Sequence, residues 1–396
     1  MHAQRIIQEL LQAQCPSMHA KRRECLAAMT DAAARGGLGV VKMGKAITGQ
    51  TSLRHRIKRC DRLLSNPQLA SERLLAYRAL ARRALHEQVR VCIIVDWSNL
   101  LNDVSQHVLR AALIVRGRAL VIYEEVHPTE LYGAASVHRA FMKNLRSVLP
   151  PGCQPIIISD AGFRATWFKM LNELGYAWVG RIRNRDMVKK SGSCTWRRCK
   201  QLYADTKGKA RDLGDFLYVR SNPVACRLVL IKQPRKGRQR KTAFGKKARS
   251  RHSIKNQASQ REPWLLASSP SLSRLSADSV VDLYRCRMQI EQTFRDLKNA
   301  QWGMGLTTAQ TRKPRRLAAL LLIAALLGFA LWLIGLAVRC AGYRIEYGSR
   351  KKAATTLSIL SLARHWLIET HATKLTRSQL ADASSELTSM MLTYDI

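Results

Sequence analysis

Acidic residues are scarce in this chain: 27 Asp and Glu stand against 67 Lys and Arg, leaving a formal net charge of +40 on 396 residues. A compact state with that excess repels itself unless something neutralises it, so the expected partner is a polyanion, either nucleic acid or an anionic membrane surface. Paired cysteines are missing as well. The ten cysteines are scattered, and the closest two, Cys194 and Cys199, have no second pair at zinc-finger spacing, which argues against a disulfide framework and a structural zinc. Several, such as Cys92 and Cys226, sit inside apolar runs where a free thiol behaves as a small hydrophobe, and this usage points to a reducing cytoplasm. The stretch from Met1 to Leu10 has no long apolar core ahead of a small-residue cleavage site, so no secretion signal is expected. There is no internal repeat. A hydrophobic content of 46% excludes disorder throughout, and the length allows two or three domains around a large core.

One long stretch has no charge at all. Leu317 to Val338 is 22 residues rich in Leu and Ala, which fits a transmembrane helix and equally a helix buried on every side of a large domain. Arg315 and Arg316 precede it and Arg339 follows, so flanking charge gives no orientation.

Residues 1–88 read as helical, with amphipathic runs from Gln4 to Gln14, Lys21 to Ala34, Ser52 to Ser65 and Ser71 to His86. The third carries Arg54, Arg56, Lys58, Arg59 and Arg62 after a Thr51 or Ser52 cap, which makes it either a DNA-binding helix or a basic solvated one. From Val89 the pattern changes. Val91 to Val95 is a buried strand ending in Asp96; Val108 to Val115 and Ala119 to Val126 form a hairpin around Gly117; Ala134 to Val148 is helical. Pro155 to Ser159 is a second buried strand, ending in Asp160, followed by a helix near Thr166 to Leu174 and a strand from Ala177 to Ile182. Beyond Asn184 come β-like pieces at Phe216 to Val219, Arg227 to Ile231 and Trp264 to Ala267, with a strongly basic loop from Lys232 to Lys255.

Tyr284, Arg287, Glu291 and Lys298 follow at offsets of 0, 3, 7 and 14. On one helix, at about 100° per residue, they occupy a sector of roughly 60°, a stripe suited to a metal and a phosphate or, more plainly, a solvated face with helical charge pairs. Leu283, Ile290, Phe294 and Leu297 lie on other azimuths and can bury the helix. Two strand-end aspartates and Glu291 assemble naturally into one site, because clustered carboxylates repel and a divalent metal removes that cost. Mg2+ prefers hard oxygen ligands, and two ions about 3.5–4 Å apart can activate a nucleophile and stabilise the leaving oxygen of a phosphodiester.

Asp96 between Ile94 and Ser98, Asp160 between Ser159 and Phe163, and the Tyr-x2-Arg-x3-Glu-x6-Lys signature from Tyr284 resemble the bacterial insertion-sequence DDE transposases of the IS-four family, particularly its cut-and-paste members of the IS-ten type. Lys58 to Leu64, the turn Gly303 to Gly305 and the apolar helix near Leu317 are similar too, so the resemblance covers nearly the whole chain. It implies an α/β protein with an RNase H-like catalytic domain at 89–300, interrupted at 184–275 by a β-rich basic insertion between the second Asp and the Glu. A helical DNA-binding domain at 1–88 precedes it. A helical C-terminal region at 301–396 follows, with 317–338 as a core helix rather than a membrane span and a role in dimerisation.

By the same resemblance Asp96, Asp160 and Glu291 are the catalytic carboxylates and metal ligands for two Mg2+ ions, with Mn2+ able to substitute. Tyr284, Arg287 and Lys298 contact terminal DNA phosphates. Trp264 falls where hairpin-forming relatives stack a flipped base, although a sheet-core tryptophan is its plainer reading, and Met288 stands where some relatives carry a further tryptophan. The expected partners are double-stranded transposon ends and target DNA, with a homodimer pairing the ends in a bacterial cytoplasm, at the nucleoid. The expected activity is cut-and-paste transposition, by hydrolysis, a hairpin intermediate and strand transfer. A catalytically silent, transposase-derived DNA-binding protein or repressor is the alternative.

Overall fold

In the computed structural model of the chain, the described residues are 3–183, 186–204, 206, 208–234, 247, 249–251, 253–254, 262–343, 357–369 and 375–394. Most of the basic segment 232–255, and the insertion boundary at 184, lie outside them. Five helices come first: α1 (Ala3–Gln14), α2 (Ala20–Gly36), α3 (Val40–Ala46), α4 (Leu53–Leu64) and α5 (Pro67–Leu85). Strands β1 (Cys92–Asn99), β2 (Gln106–Leu113) and β3 (Leu120–Pro128) lead into α6 (Ala135–Val148), β4 (Ile156–Ser159), α7 (Ala165–Glu173) and β5 (Ala177–Ile182). Then come β6 (Met187–Lys190), β7 (Arg197–Arg198), β8 (Arg211–Tyr218), β9 (Val224–Ile231) and β10 (Trp264–Ser268). The chain continues through α8 (Ala277–Cys286), α9 (Met288–Lys298), α10 (Pro314–Cys340), α11 (Ile359–Glu369) and α12 (Arg377–Ser389). The protein is a mixed α/β structure.

It divides into two compact units, one formed by Met1–Pro155 with Met288–Asp395 and the other by Ile156–Arg287. These units follow different lines from the three-part division read from the sequence, because α10 packs against α1, α2, α4 and α5 as well as against β3, α11 and α12. The apolar run is therefore the shared core of the N-terminal and C-terminal helices. α10 is long and apolar enough to cross a membrane, yet 94% of its most apolar window is buried within the protein, as expected of a helix that is hydrophobic all round. At Gly335 a Cβ would stand 2.2 Å from the Ile359 carbonyl oxygen, so glycine is what lets the start of α11 approach. The chain end also closes the unit: Met391 bridges Val115 and Thr393 bridges Val91.

Local signals explain the individual elements. Ser52 caps α4 by accepting the His55 N–H, and Asn66 caps α5 with Pro67 at the first helical position. In the first unit β1, β2 and β3 form an antiparallel meander in that order, with a bulge between Ala111 and Ala112. Gly117, at φ 93°, turns β2 into β3. In the second unit the order is β4-β5-β10-β9-β8-β6-β7, with β4 and β5 parallel and the other pairs antiparallel.

Two expectations need correction. The first strand does not stop at Asp96: Trp97, Ser98 and Asn99 continue the ladder opposite Leu109, Val108 and His107, because backbone pairing persists after the apolar side chains end. The signature does not lie on a single helix either. α8 ends at Cys286 and α9 begins at Met288, with a tightened turn in which the Arg287 N–H donates to the Tyr284 carbonyl at 3.1 Å.

In the first unit, residues directly opposite on antiparallel strands share a face, and Asp96, Arg110 and Glu124 make such a row across β1, β2 and β3. Arg110 and Glu124 are buried; Arg110 Nε donates to Glu124 Oε1 at 2.6 Å, and Nη2 lies 2.5 Å from the same oxygen. Burial pushes the Glu124 carboxyl up, and the Arg110 charge opposes that push. Removing one member strands the other in a dry interior. Arg110→Ala should lower the unfolding free energy by about 3–5 kcal/mol, whereas the joint change Arg110→Met with Glu124→Leu should cost much less. Urea denaturation of the two variants checks this, and equal losses would contradict it.

Candidate active site

Asp96 sits inside β1, half-buried, and its Oδ1 accepts the Trp97 N–H at 2.8 Å. Glu291 lies in the first turn of α9, where the helix end favours negative charge, and it too is half-buried. Both belong to the first unit. α9 is fastened to the meander at three points along its length. Arg110 Nη1 donates to Thr293 Oγ1 at 2.8 Å, and its guanidinium lies 4.3 Å from the Phe294 ring centroid. Arg118, in the β2–β3 turn, pairs with Asp296. At the far end Lys298 Nζ donates to Ser98 Oγ at 2.9 Å. Ile290, Phe294 and Leu297 are buried and anchor the helix by apolar packing. Glu291 is thus carried on a helix held to the strand that bears Asp96.

The engagement of Lys298 is a finding of its own. Burial, with the charge of Arg110 as a smaller contribution, lowers the pKa of its ammonium, and the hydroxyl oxygen of Ser98 accepts a hydrogen bond from it. In this state it braces α9 against β1.

Asp160 follows β4 in the second unit. Its Oδ1 accepts the Gly162 N–H at 2.6 Å, a side-chain turn that turns the chain out of the strand. A Cβ at Gly162 would come 2.8 Å from that oxygen, so the small residue leaves room for the carboxylate. The same unit brings Trp264, Tyr284 and Arg287 together. Trp264 opens β10, half-exposed rather than sealed in the sheet core, and packs edge-on to Tyr284 with ring centroids 5.0 Å apart. The Arg287 guanidinium lies 5.9 Å from the Tyr284 ring centroid. Met288 is exposed.

Among the described residues no group of three His, Cys, Asp or Glu side chains is gathered closely enough to hold a metal ion. Asp96, Asp160 and Glu291 are each a half-buried carboxylate, the hard oxygen donor type that Mg2+ prefers. On α4, Arg54, Lys58 and Arg62 are exposed and recur every four residues, which puts them on one face. Arg56 and Arg59 are less available. Arg56 donates to the Ile47 carbonyl and Arg59 stands 3.6 Å from Glu24.

Two features next to Asp96 escaped the sequence reading. One is the Arg110–Glu124 pair, whose signal was a charged residue within each of two apolar strands. The other is His138 on α6, whose Nε2 accepts the Trp97 Nε1–H at 3.0 Å and must therefore be unprotonated. Burial, with a lesser effect of His127, brings its pKa down from 6.5 to about 4. The unfolded chain takes up this proton at a higher pH than the folded one, so the contribution is complete above pH 6.5 and is lost as pH falls toward 4. Denaturation at stepped pH should show a loss of about 2–3 kcal/mol across that window relative to His138→Gln. Parallel profiles for the two proteins would refute a buried neutral imidazole.

The family model described as "Transposase DDE domain" matches residues 87–327, more than half of the chain. That span contains Asp96, Asp160 and Glu291 and all of α9. No curated protein matches the chain. The chain belongs to the transposase DDE domain family.

Proposed function

We propose that the protein is the transposase of a bacterial insertion sequence of the IS-four family, binding the terminal inverted repeats of its element and moving it by cut-and-paste transposition. The observation that carries this reading is the family match over a span that contains the three carboxylates and the Tyr284-to-Lys298 signature. The net charge of +40 supplies the attraction to DNA. A meander of three strands, a helix, and then a parallel strand pair with a helix between its members is the order that an RNase H-like domain requires, and strands β6 to β10 take the place of an insertion between Asp160 and Glu291.

Asp96, Asp160 and Glu291 would hold the divalent ions, Mg2+ by preference for hard oxygen donors and Mn2+ as substitute. When bound, these ions would lower the charge cost at the scissile phosphate and assist both attack on it and departure from it. The chain's own groups do the remainder. The clamps from Arg110, Arg118 and Lys298 hold Glu291 in orientation. Arg287 offers a planar donor fork to a phosphate of the terminal nucleotide. Trp264 presents a half-exposed ring on which an unstacked base can lie, so that a hairpin intermediate on the way to strand transfer is accommodated. Arg54, Lys58 and Arg62 face outward on α4 to meet the duplex, and two subunits bring two ends together, in the bacterial cytoplasm where the DNA is.

The test is incubation of the full chain with DNA carrying the element's own end, with and without Mg2+. Asp96→Asn, Asp160→Asn and Glu291→Gln should each lose cleavage by about a thousandfold or more while end binding stays within about twofold of wild type. Cleavage retained in any of the three would remove that residue from the site; binding without metal-dependent cutting by wild type would favour a silent DNA-binding protein. In a separate measurement, joint replacement of Arg54, Lys58 and Arg62 by Gln should reduce the salt slope of DNA binding by about 2–3 units. An unaltered slope would place recognition on another element.

A further inference from the structure

The second unit contains a cavity of about 410 Å³ that none of the groups above explains. It lies between β6, β7 and β8, and its floor is set by register: Lys190 stands opposite Phe216, and Val188 opposite Arg197, so that these side chains share one face. Phe216 is buried and supplies an apolar base. Lys190, Arg197 and Arg211 stand around the cavity, all exposed, and among the described residues none of the three is paired with a carboxylate. Ser193 and Thr195 add hydroxyls from the turn between β6 and β7.

Among the described residues the one carboxylate lining the cavity is Asp212, and it is already neutralised. Arg227 donates to its Oδ2 through Nε (3.0 Å) and Nη2 (2.6 Å), and these bonds hold its pKa below the ordinary carboxylate value. The cavity is therefore rich in donors and positive in net field, over an apolar floor. That combination matches a phosphate attached to a sugar. It matches a free carboxylate peptide poorly, since such a ligand brings amide acceptors and donors that the apolar floor leaves unsatisfied. The volume falls within the usual range for a site enclosing a small organic ligand, roughly 300–1,000 Å³.

The geometry points to a binding site for one phosphate–sugar unit of a DNA strand, held by Lys190, Arg197 and Arg211 with Ser193 and Thr195, and separate from the Trp264, Tyr284 and Arg287 group. This rests on the DNA-binding reading proposed above. The site would fasten the second unit to the DNA backbone without regard to sequence, since no base edge is needed for it.

Fluorescence anisotropy of the full chain on a short labelled duplex, titrated over a range of salt, tests it with two variants. Replacing Lys190, Arg197 and Arg211 together by Gln should lower the slope of log affinity against log salt by about one to three units. Replacing Ser193 by Ala and Thr195 by Val leaves the charge alone; it should weaken binding about three- to tenfold at an unchanged slope, because only a ligand seated in the cavity meets those hydroxyls. An unchanged slope in the first variant overturns the site. A hydroxyl variant that binds like wild type also overturns it, since the cations would then act only as a diffuse surface field. Should the triple variant fail to show a cooperative thermal transition, Lys190→Gln alone takes its place, with an expected slope change of about 0.9. Failure of the wild-type protein to bind any duplex would instead overturn the DNA-binding reading itself.

Discussion

The buried pair between Arg110 and Glu124 is the constraint around which the first unit is arranged. Two opposite charges in a dry interior are tolerated best when their remaining hydrogen-bonding groups are engaged; Arg110 reaches a third element, Thr293 on α9, while among the described residues Glu124 Oε2 has no hydrogen-bond partner. The same guanidinium lies against the ring of Phe294. One side chain thus joins β2, β3 and the helix that carries Glu291. Apolar packing alone would let that helix slide or rotate by a fraction of a turn, because dispersion contacts are many and individually weak. Directional bonds at Thr293, Asp296 and Lys298 remove that freedom. The helix that carries Glu291 is thereby fixed in rotation and in height against the strand that carries Asp96.

The two units carry chemically distinct groups. The first carries Asp96 on a strand and Glu291 on a helix that the bonds of Arg110, Arg118 and Lys298 join to the meander. The second carries the remaining carboxylate in a side-chain turn, together with an aromatic and cationic group made of Trp264, Tyr284 and Arg287. Planar rings and a planar guanidinium suit bases and phosphates better than they suit metals. The division between Arg287 and Met288 runs through the middle of the signature, so its four residues are shared between the units, two to each.

Much of this was legible from the residues alone. The β-branched runs indicate buried strands near Ile94 and Ile157, Gly117 marks the hairpin, and a cap at Thr51 or Ser52 announces α4, of which the structure uses Ser52. What was not legible depends on contacts distant in sequence. Nothing near Arg110 reveals that Thr293 will accept its hydrogen bond, and nothing near Arg56 reveals the carbonyl of Ile47. The extension of β1 through Trp97 to Asn99 was hidden because strand pairing is a property of two backbones, and the half of it that lies on β2 leaves no trace in the β1 residues. The tightened turn at Arg287 was hidden for a related reason: helical periodicity on both sides of it is intact, and only the hydrogen bond from Arg287 to Tyr284 shows the change of pitch. The candidate residues were found by type and spacing; the bonds that hold them in place had to be seen.

The enclosure of α10 also has a consequence for how the chain is made. Its covering is supplied from both directions, by α1, α2, α4 and α5, which precede it, and by α11 and α12, which follow. During synthesis the helix leaves the ribosome while its C-terminal cover does not yet exist. For that interval the nascent chain displays an apolar surface of membrane-spanning length, and only the earlier helices are present to shield it. The cover of α10 is complete only once α11 and α12 have been made.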